Sequence, residues 1–283
     1  MNPKICIVGS ANIDQISYVD TIPSDGETVF GDSYQMGFGG KGANQAVMAG
    51  ILGADVYMIA CLGNDVYNKM TIDNLNNNNV NTDYIQTVEG SSGVAPIWVD
   101  KTGQNRIIVI PGANNLINAD VALDSLSNIG SLDVLVGQFE IPLEVNEKVF
   151  EYANKKGVQT VLNPAPAGAI SENLLHNTSW FIPNEVEFEE MLGEPFDENA
   201  LLKYSKEVKP EIIVTLGEKG CAEVSDERVV IHQPKKVTAI DTTGAGDAFV
   251  GSFSYGLANK MSKQDSIKLA LEKATNSVTK KGT

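Results

Sequence analysis

Ile5-Cys6-Ile7-Val8-Gly9 is a short, uninterrupted apolar run that ends in glycine. Such a run is typical of a strand that is buried on both faces of a sheet. Five runs of the same kind follow along the chain, over residues 56–60, 134–137, 160–162, 180–182 and 212–216. Their repetition decides the fold class, because a parallel sheet is the arrangement that buries strands of this type.

Helical patterns separate these apolar runs. Amphipathic spacing predicts helices over residues 41–53, 64–76, 118–127, 143–156, 185–191, 198–207, 245–258 and 262–280. Strands that alternate with helices form right-handed βαβ units. We therefore expect an α/β fold in which a central, mostly parallel sheet is flanked by helices.

Two stretches interrupt this alternation. Residues 27–36 and 93–110 are rich in strand formers, and Lys101-Thr102-Gly103-Gln104-Asn105 is a turn signal within the second stretch. They predict antiparallel hairpins in a small inserted sheet, which could serve as a lid, a dimer surface or both, or could be an exposed hairpin without a role. We expect one α/β domain over residues 1–283, with lid segments at about 14–36 and 93–111.

The composition excludes several classes of protein. The 283 residues carry a formal net charge of −15 without basic clusters, so we expect no nucleic-acid partner. Cys6, Cys61 and Cys221 are widely spaced within apolar runs, which predicts buried thiols and neither a disulfide framework nor a zinc site. The chain enters a strand at once, and no apolar run approaches the length of a membrane span. We expect a cytoplasmic protein with no membrane partner.

The most informative segment for function is Asp241-Thr242-Thr243-Gly244-Ala245-Gly246-Asp247-Ala248-Phe249, a glycine-rich turn that opens a helix. The first amides of a helix lack intrahelical partners and can bind a polyanion. Asp247 lies in the first turn, beside such an anion. A carboxylate gains nothing from a neighbouring phosphate, so its expected task is to accept a proton. A phosphate cradle with an adjacent base is what a kinase acting on a hydroxyl group requires.

A second glycine-rich segment, Gly37-Phe38-Gly39-Gly40-Lys41-Gly42-Ala43-Asn44-Gln45, is open to several interpretations. It satisfies the dinucleotide pattern G-x-G-x-x-G, but its preceding strand belongs to the expected hairpin. The Walker pattern fails, because Gly42 replaces the Ser/Thr after lysine. A small polar ligand that approaches the glycine backbone, with hydrogen bonds from Lys41 and Asn44, and a simple strand-to-helix turn both remain.

Polar side chains follow several of the predicted strands. Asn12 and Asp14 follow the first strand, Glu140 follows the 134–137 run, and Asn163 follows the 160–162 run. Because open α/β sheets bind ligands beyond the carboxyl ends of their strands, we expect these side chains near the 241–247 turn. A carboxylate and an amide two residues apart can hold adjacent sugar hydroxyls, although Asn12 and Asp14 could equally form a turn.

Two further strand ends carry candidate nucleotide contacts. Asn184 and Glu187 stand three residues apart, so a helix would place them on one side, and Glu187 could face hydrated magnesium. The same pair also fits a helix capping box. Glycines in Thr215-Leu216-Gly217-Glu218-Lys219-Gly220 permit close backbone approach to a nucleotide, but this segment could be an ordinary hairpin turn.

Together these motifs resemble those of the ribokinase-type carbohydrate kinase family, from residue 4 to the end of the chain. The most specific elements are residues 39–46, Gly-Gly-Lys-Gly-Ala-Asn-Gln-Ala, and residues 241–247. Supporting elements lie at 9–14, 163–167 and 183–187. The resemblance implies an ATP-dependent kinase that transfers the γ-phosphate to a sugar hydroxyl.

The resemblance also implies roles for individual residues. Asp247 would be the base, and Gly244, Ala245 and Gly246 would form the anion hole. Sugar hydroxyls would be bound by Asn12, Asp14, Gly39, Gly40, Lys41, Asn44, Glu140 and Asp247. ATP would be bound by Asn184, Thr215, Leu216, Gly217, Glu218, Lys219, Gly220 and Gly246, with Glu187 directed at Mg²⁺.

Members of the family are also activated by a monovalent cation and dimerise through the lid sheet. The resemblance assigns half of a K⁺ site to Asp241 and Thr243, and part of the other half to Ser277, Lys280 and Gly282. The sequence ends at Thr283, where members typically continue for another strand or helix. We expect a homodimer, and a lid that excludes water when it closes over the sugar.

The resemblance is closest to the members that phosphorylate D-ribose at the 5-hydroxyl to give ribose 5-phosphate. Fructose, ketodeoxygluconate and adenosine remain alternative substrates within the family. From other classes, a dinucleotide-dependent sugar oxidoreductase would bind NAD(H) and form no ADP. A sugar- or nucleotide-sensing protein would bind without turnover.

Overall fold

The computed structural model describes residues 2–280, in which thirteen strands form two sheets. The strands are β1 Lys4–Val8, β2 Asn12–Val19, β3 Gly31–Gly39, β4 Asp55–Gly63, β5 Val80–Val88, β6 Gly93–Asp100, β7 Asn105–Ile107, β8 Val134–Gly137, β9 Gln159–Leu162, β10 Trp180–Phe181, β11 Glu211–Thr215, β12 Cys221–Ser225 and β13 Arg228–His232.

Nine α-helices lie within the described residues. They are α1 Lys41–Ile51, α2 Val66–Asn77, α3 Ala119–Ile129, α4 Leu143–Lys155, α5 Glu172–His176, α6 Glu185–Leu192, α7 Glu198–Glu207, α8 Ala245–Ala258 and α9 Lys263–Ser277. Short 3₁₀ turns cover Gly112–Leu116 and Gly217–Lys219. No helix in this part of the chain is long and apolar enough to cross a bilayer.

The large sheet has nine strands in the order β13-β12-β11-β10-β9-β8-β1-β4-β5. Its strands are parallel from β11 to β5, and only β12 and β13 run antiparallel to their neighbours. The chain leaves β1 toward β4 on one side and returns to β8 on the other. The carboxyl ends of β1 and β8 therefore meet at a point where the strand order reverses, which is where open α/β sheets bind ligands.

Helices cover both faces of this sheet because alternate residues of its strands are buried on opposite sides. Ile5 and Ile7 pack in one apolar core with Phe253 of α8. Cys6 and Val8 pack in a second core with Phe150 of α4. The predicted α/β fold, a mostly parallel sheet flanked by helices with a small second sheet, is confirmed.

The small sheet has four strands in the order β3-β2-β6-β7. Strand β2 pairs antiparallel with β3 and parallel with β6, and β6 pairs antiparallel with β7 across the predicted turn. On β2, Asp14 and Ser17 are three residues apart, so their side chains lie on opposite faces of the sheet. Ser17 lies in register with Tyr34 and Trp98. One face of the sheet therefore carries Asp14, and the other carries exposed aromatic side chains.

Several expectations need correction. Asn12 and Asp14 do not lie in a loop after the first strand; they begin β2, which leaves the large sheet and builds the small one. The first hairpin pairs residues 12–19 with 31–39, so the interpretation of 27–36 as a hairpin was wrong. Strands β5, β12 and β13 were not predicted. Most side chains of β5 and β13 are partly buried or exposed, and the buried part of β12 contains the charged Glu223, so these strands lack the continuous apolar run of the central strands.

Candidate functional site

The polar side chains gather at the carboxyl edge of the large sheet, where β1 and β8 end and where α1 and α8 begin. Gly40 precedes α1 with φ at +90°, and a Cβ there would lie 2.7 Å from Ala11 Cα and 2.8 Å from Asn12 N. Only glycine combines this backbone conformation with so close an approach. The glycine therefore brings the start of α1 directly against the β1–β2 connection.

The turn before α8 forms the expected anion-binding geometry. Gly244 has φ at +72° and turns the chain into the helix. The N–H groups of Gly246 and Asp247 have no hydrogen-bond partner in the described chain. Gly244, Gly246 and Asp247 line a cavity of about 260 Å³. Unpaired amides at the start of a 14-residue helix are suited to bind phosphate oxygens.

Asp247 is buried at the edge of this cavity, and two side-chain amides hold its carboxylate. Asn44 Nδ2 donates to Oδ2 at 3.1 Å, and Gln45 Nε2 donates to Oδ1 at 3.0 Å. Burial raises the pKa of Asp247, while the nearby Lys41 ammonium and the two amides oppose that rise. The arrangement gives a basic carboxylate that stays in one orientation.

Further carboxylates and a lysine lie in the same region as Asp247. Glu140 Oε2 accepts hydrogen bonds from Ser10 Oγ at 2.5 Å and from Lys41 N at 3.0 Å. Burial and the nearby Glu140 raise the pKa of Asp14 to about 6. Burial acts against the charge of Lys41, but Asp247, Glu140 and Glu187 together raise its pKa. The site thus combines hydrogen-bond acceptors for hydroxyls with a fixed positive charge for phosphate.

Ser10, Asn114 and Gln45 contact the predicted site residues, and the sequence assigned no role to any of them. Ser10 positions Glu140, and Asn114 positions Asn12 through a hydrogen bond of 2.7 Å from its Nδ2 to Asn12 Oδ1. Asn114 also accepts from Ala11 N at 3.0 Å, and its side chain is buried. It lies 102 residues from Asn12 along the chain, so no local pattern could reveal the pair.

Asn184 and Glu187 form the capping box that the sequence allowed. Asn184 Oδ1 accepts from Glu187 N at 2.8 Å, and Glu187 Oε2 accepts from Asn184 N at 2.8 Å. Both residues also line the cavity. Burial raises the pKa of Glu187, and the hydrogen bond from Asn184 and the charge of Lys41 oppose this.

The donor set can be compared with what magnesium requires. Within residues 2–280 no group of three His, Cys, Asp or Glu side chains could hold a metal ion. Glu187 Oε1 has no hydrogen-bond partner in the described chain, and Glu187 lines the same cavity as the helix amides. One free carboxylate oxygen beside a phosphate site fits Mg²⁺, which usually takes one or two carboxylates together with phosphate oxygens and water.

The segment 215–220 is only partly directed at the cavity. Thr215 and Gly217 line it. Leu216 is buried in the second core instead, and a Cβ on Gly220 would collide with the backbone of β13. Glu218 is exposed, and Lys219 pairs with Glu185 at 3.6 Å.

The residues assigned to a K⁺ site come from two segments that lie together. Val278 O accepts hydrogen bonds from Ile240 N at 2.7 Å and Asp241 N at 3.2 Å. Thr243, Ser277 and Lys280 line a second cavity of about 500 Å³, and Gly244 lines both cavities. Gly282 lies outside the described residues.

A helix start with unpaired amides beside a buried carboxylate, at the switch point of an α/β sheet, is the arrangement expected of a phosphotransferase that acts on a small hydroxyl compound. The model of the pfkB family of carbohydrate kinases matches residues 2–283. The chain belongs to this family and is an ATP-dependent sugar kinase. The resemblance inferred from the motifs is confirmed.

Known proteins of this family are similar over almost the whole chain. A deoxyribokinase of Salmonella typhi is 35% identical over 99% of this chain and 94% of its own length. A ribokinase of Haemophilus influenzae is 37% identical over 100% of this chain and 94% of its own. The structure of Arabidopsis thaliana ribokinase complexed with ribose and ATP has a TM-score of 0.90 and 30% identity, and the match covers 100% of this chain and 95% of that one.

Proposed function

We propose that this kinase phosphorylates D-ribose at the 5-hydroxyl, with ATP as donor and Asp247 as base. The observation that carries the proposal is the Asp247 carboxylate in the same cavity as the unpaired N–H groups of Gly246 and Asp247. The similarity to ribokinases, including one solved with ribose and ATP, supports the choice of sugar.

The sugar hydroxyls require acceptors and donors on several sides. Asn12, Asp14, Asn44 and Glu140 supply carboxylates and amides, and Lys41 supplies a charged donor. The proposal places the ribose ring among them, beneath the Asp14 face of the small sheet. Gly39 leaves room for the Asp14 carboxylate, and Gly40 lets the start of α1 lie against Asn12, so both glycines would keep the proposed sugar contacts in place.

Transfer then needs a proton acceptor and charge stabilisation. The 5-hydroxyl gives its proton to Asp247 while its oxygen bonds to the γ-phosphorus, and the bond from phosphorus to the bridging oxygen of ADP breaks. The helix amides at 244–246 stabilise the charge on the transferring group. Thr215 and Gly217 border the nucleotide side of the cavity. Mg²⁺ beside Glu187 would supply charge neutralisation of the phosphates.

A monovalent cation belongs to the same proposal. Asp241 and Thr243, with Ser277, Lys280 and Gly282, would hold K⁺ next to the turn that shapes the anion hole. Support comes from the hydrogen bonds of Val278 O, which join the two segments. The cation would act on the turn and not on the sugar.

A 2-deoxyribose kinase is the second candidate, because a deoxyribokinase is among the relatives at 35% identity. The test is ADP release with ATP and Mg²⁺, comparing D-ribose, 2-deoxyribose, fructose, ketodeoxygluconate and adenosine, with and without K⁺. A site that hydrogen-bonds the 2-hydroxyl rejects the analogue that lacks it, since buried polar groups are left unpaired. We expect kcat/KM to be highest for ribose. A higher kcat/KM for 2-deoxyribose would make that sugar the preferred substrate. Absence of turnover with all five compounds would contradict the proposal.

Sugar binding is expected to weaken in mild acid because of Asp14, whose pKa is about 6. The carboxylate that accepts sugar hydroxyls is lost as pH falls through that value, so ribose affinity should drop about tenfold for each pH unit below 6. The raised pKa has the opposite effect on folding stability. Ionisation of Asp14 destabilises the folded protein above about pH 6, and this cost is absent below pH 3.8, the ordinary pKa of the group.

Calorimetric titration of ribose between pH 5 and pH 8 measures this effect. The Asp14→Asn variant should bind more weakly at pH 7.5 but with a nearly flat pH dependence. An equally steep decline in that variant would show that another group is responsible.

The small sheet offers a surface for the proposed homodimer. Tyr34 and Trp98 lie in register on its outer face, with 62% and 36% of their surfaces exposed. Aromatic side chains are enriched at the buried centres of protein interfaces. A sedimentation measurement on the Tyr34→Ser, Trp98→Ser double variant should show monomers where the wild type shows dimers.

A further inference from the structure

A chain of buried side-chain amides leads to Asp247, and each amide in it has a fixed orientation of its N–H and C=O groups. We call this orientation the polarity of the chain. It begins at the carbonyl oxygen of Ile182, which can only accept a hydrogen bond. Asn163 Nδ2 donates to that oxygen at 2.9 Å, so Asn163 Oδ1 must face the opposite way. Gln45 Nε2 donates to Asn163 Oδ1 at 3.2 Å and to Asp247 Oδ1 at 3.0 Å.

The other end of the Gln45 side chain is held as well. Gln138 Nε2 donates to Gln45 Oε1 at 2.7 Å. Gln45 and Gln138 are both 0% exposed. Every hydrogen-bonding position on the Gln45 Nε2 group is used, so the amide cannot turn over without breaking three hydrogen bonds. Breaking hydrogen bonds in a buried position leaves polar groups unpaired, which is costly.

This polarity decides what Asp247 can do. Gln45 presents an N–H group to Oδ1, and Asn44 presents one to Oδ2. A proton on Oδ1 toward Gln45 would therefore face a donor that the buried network holds in place, and a proton on Oδ2 toward Asn44 would require that amide to rotate. The protonated acid fits this environment poorly, and the ionised carboxylate fits it well.

We propose that Gln45 is a positioning residue for the base: the relay Ile182–Asn163–Gln45 holds Asp247 as a hydrogen-bond acceptor, in the ionised form that proton removal from a sugar hydroxyl requires. The inference rests on the proposed role of Asp247. Gln45 itself touches no reacting atom, because its amide nitrogen is fully used by Asn163 and Asp247.

Other charged groups also face Asp247. Lys41 on α1 favours the carboxylate, and Glu140 after β8 and Glu187 on α6 oppose it. The experiment must separate the effect of the relay on the pKa of Asp247 from the effects of these charges. Gln45→Met is the suitable change, because it keeps the length of the side chain, removes the donor and adds no charge.

The measurement is the pKa of Asp247 in free enzyme, without sugar or ATP, from the carboxyl ¹³C shift of aspartate-labelled protein. The signal is assigned by its loss in Asp247→Asn. In Gln45→Met the pKa should rise by about one unit or more, because a hydrogen bond to the charged form is lost. The acidic limb of kcat should move upward by a similar amount, with KM for the sugar changed less than kcat.

Gln159→Met is the matched control, since Gln159 is also a hydrogen-bonded glutamine but accepts from Trp180 outside the relay. It should leave the pKa of Asp247 unchanged. Folding of each variant is checked by thermal unfolding. If Gln45→Met does not fold, Asn163→Leu replaces it. This change leaves Gln45 in place but removes the acceptor that orients its amide. A smaller rise in the pKa of Asp247 is then expected.

A wild-type pKa for Asp247 in folded Gln45→Met overturns the proposal, as does a wild-type value in Asn163→Leu when that variant carries the test. The pKa is read without turnover. Failure to phosphorylate ribose would therefore reject the proposed substrate and leave this measurement valid.

Discussion

Replacing Asp247 with asparagine is expected to lower kcat by about two to four orders of magnitude, the usual contribution of a positioned general base. Asparagine cannot accept the proton of the 5-hydroxyl. The dissociation constants of sugar and ATP should change little, because the side chain keeps its shape and the helix amides stay in place. Steady-state kinetics together with calorimetric binding of both ligands measures the two quantities separately.

The substitution can be accommodated without unfolding. Both oxygens of Asp247 accept N–H groups, so the new amide nitrogen must face a donor on one side. Gln45 is fixed by its neighbours, but Asn44 is half-buried and can rotate its amide to present an oxygen. The altered side chain therefore regains its second hydrogen bond.

Asp265→Asn is the matched control. Asp265 is the third residue of α9, as Asp247 is the third residue of α8, and it is exposed. Its replacement disturbs a helix cap with Ser262 and should leave kcat at the wild-type value. Near-normal turnover in Asp247→Asn would remove Asp247 from the role of base, and an equal loss in Asp265→Asn would point to a general effect on folding.

Replacing Gly39 with alanine is expected to raise KM for the sugar by about 10- to 100-fold, with a smaller change in kcat. A Cβ on Gly39 would lie 2.5 Å from Asp14 Oδ2 and 2.7 Å from Asp14 Cγ. The obstructing atoms belong to the end of a side chain, so the carboxylate moves while the backbone remains. Loss of a hydrogen bond to a charged group accounts for an effect of this size.

Gly37→Ala provides the comparison, because Gly37 lies two residues earlier on the same face of β3. A Cβ there would lie 3.8 Å from Asp14 Cβ, which is ordinary van der Waals contact. We expect KM close to the wild-type value in this variant. Equal KM values for the wild type and a folded Gly39→Ala enzyme would show that the position of Asp14 does not control sugar binding.

Features that depend on nearby residues were predictable from the sequence. Apolar runs and helical spacing are local patterns, so the central strands and eight of the nine described helices were found close to their observed positions. The five-residue helix α5, Glu172–His176, was not predicted, because it is too short to show a helical period. The glycine turn with Asp247 is also local: a helix start exposes unpaired amides wherever it occurs. The capping box of Asn184 and Glu187 required only their spacing of three residues.

The strands of the small sheet could not be predicted from local patterns alone. Strand β2 is partly buried along most of its length and pairs with β6, about eighty residues later, so its own pattern does not reveal its partners. The register matters because it places Asp14 on one face and Tyr34 and Trp98 on the other. A shift of one residue would reverse these faces.

The sequence by itself determined the class of fold, the position of the proposed phosphate cradle and the identity of the candidate base. Only the tertiary structure decided how that base is held. Gln45 lies 202 residues from Asp247 and 118 residues from Asn163, and the three meet because α1, α8 and the end of β9 converge at one edge of the sheet. Hydrogen-bond polarity inside a buried network follows from which groups touch, and chain folding alone brings those groups together.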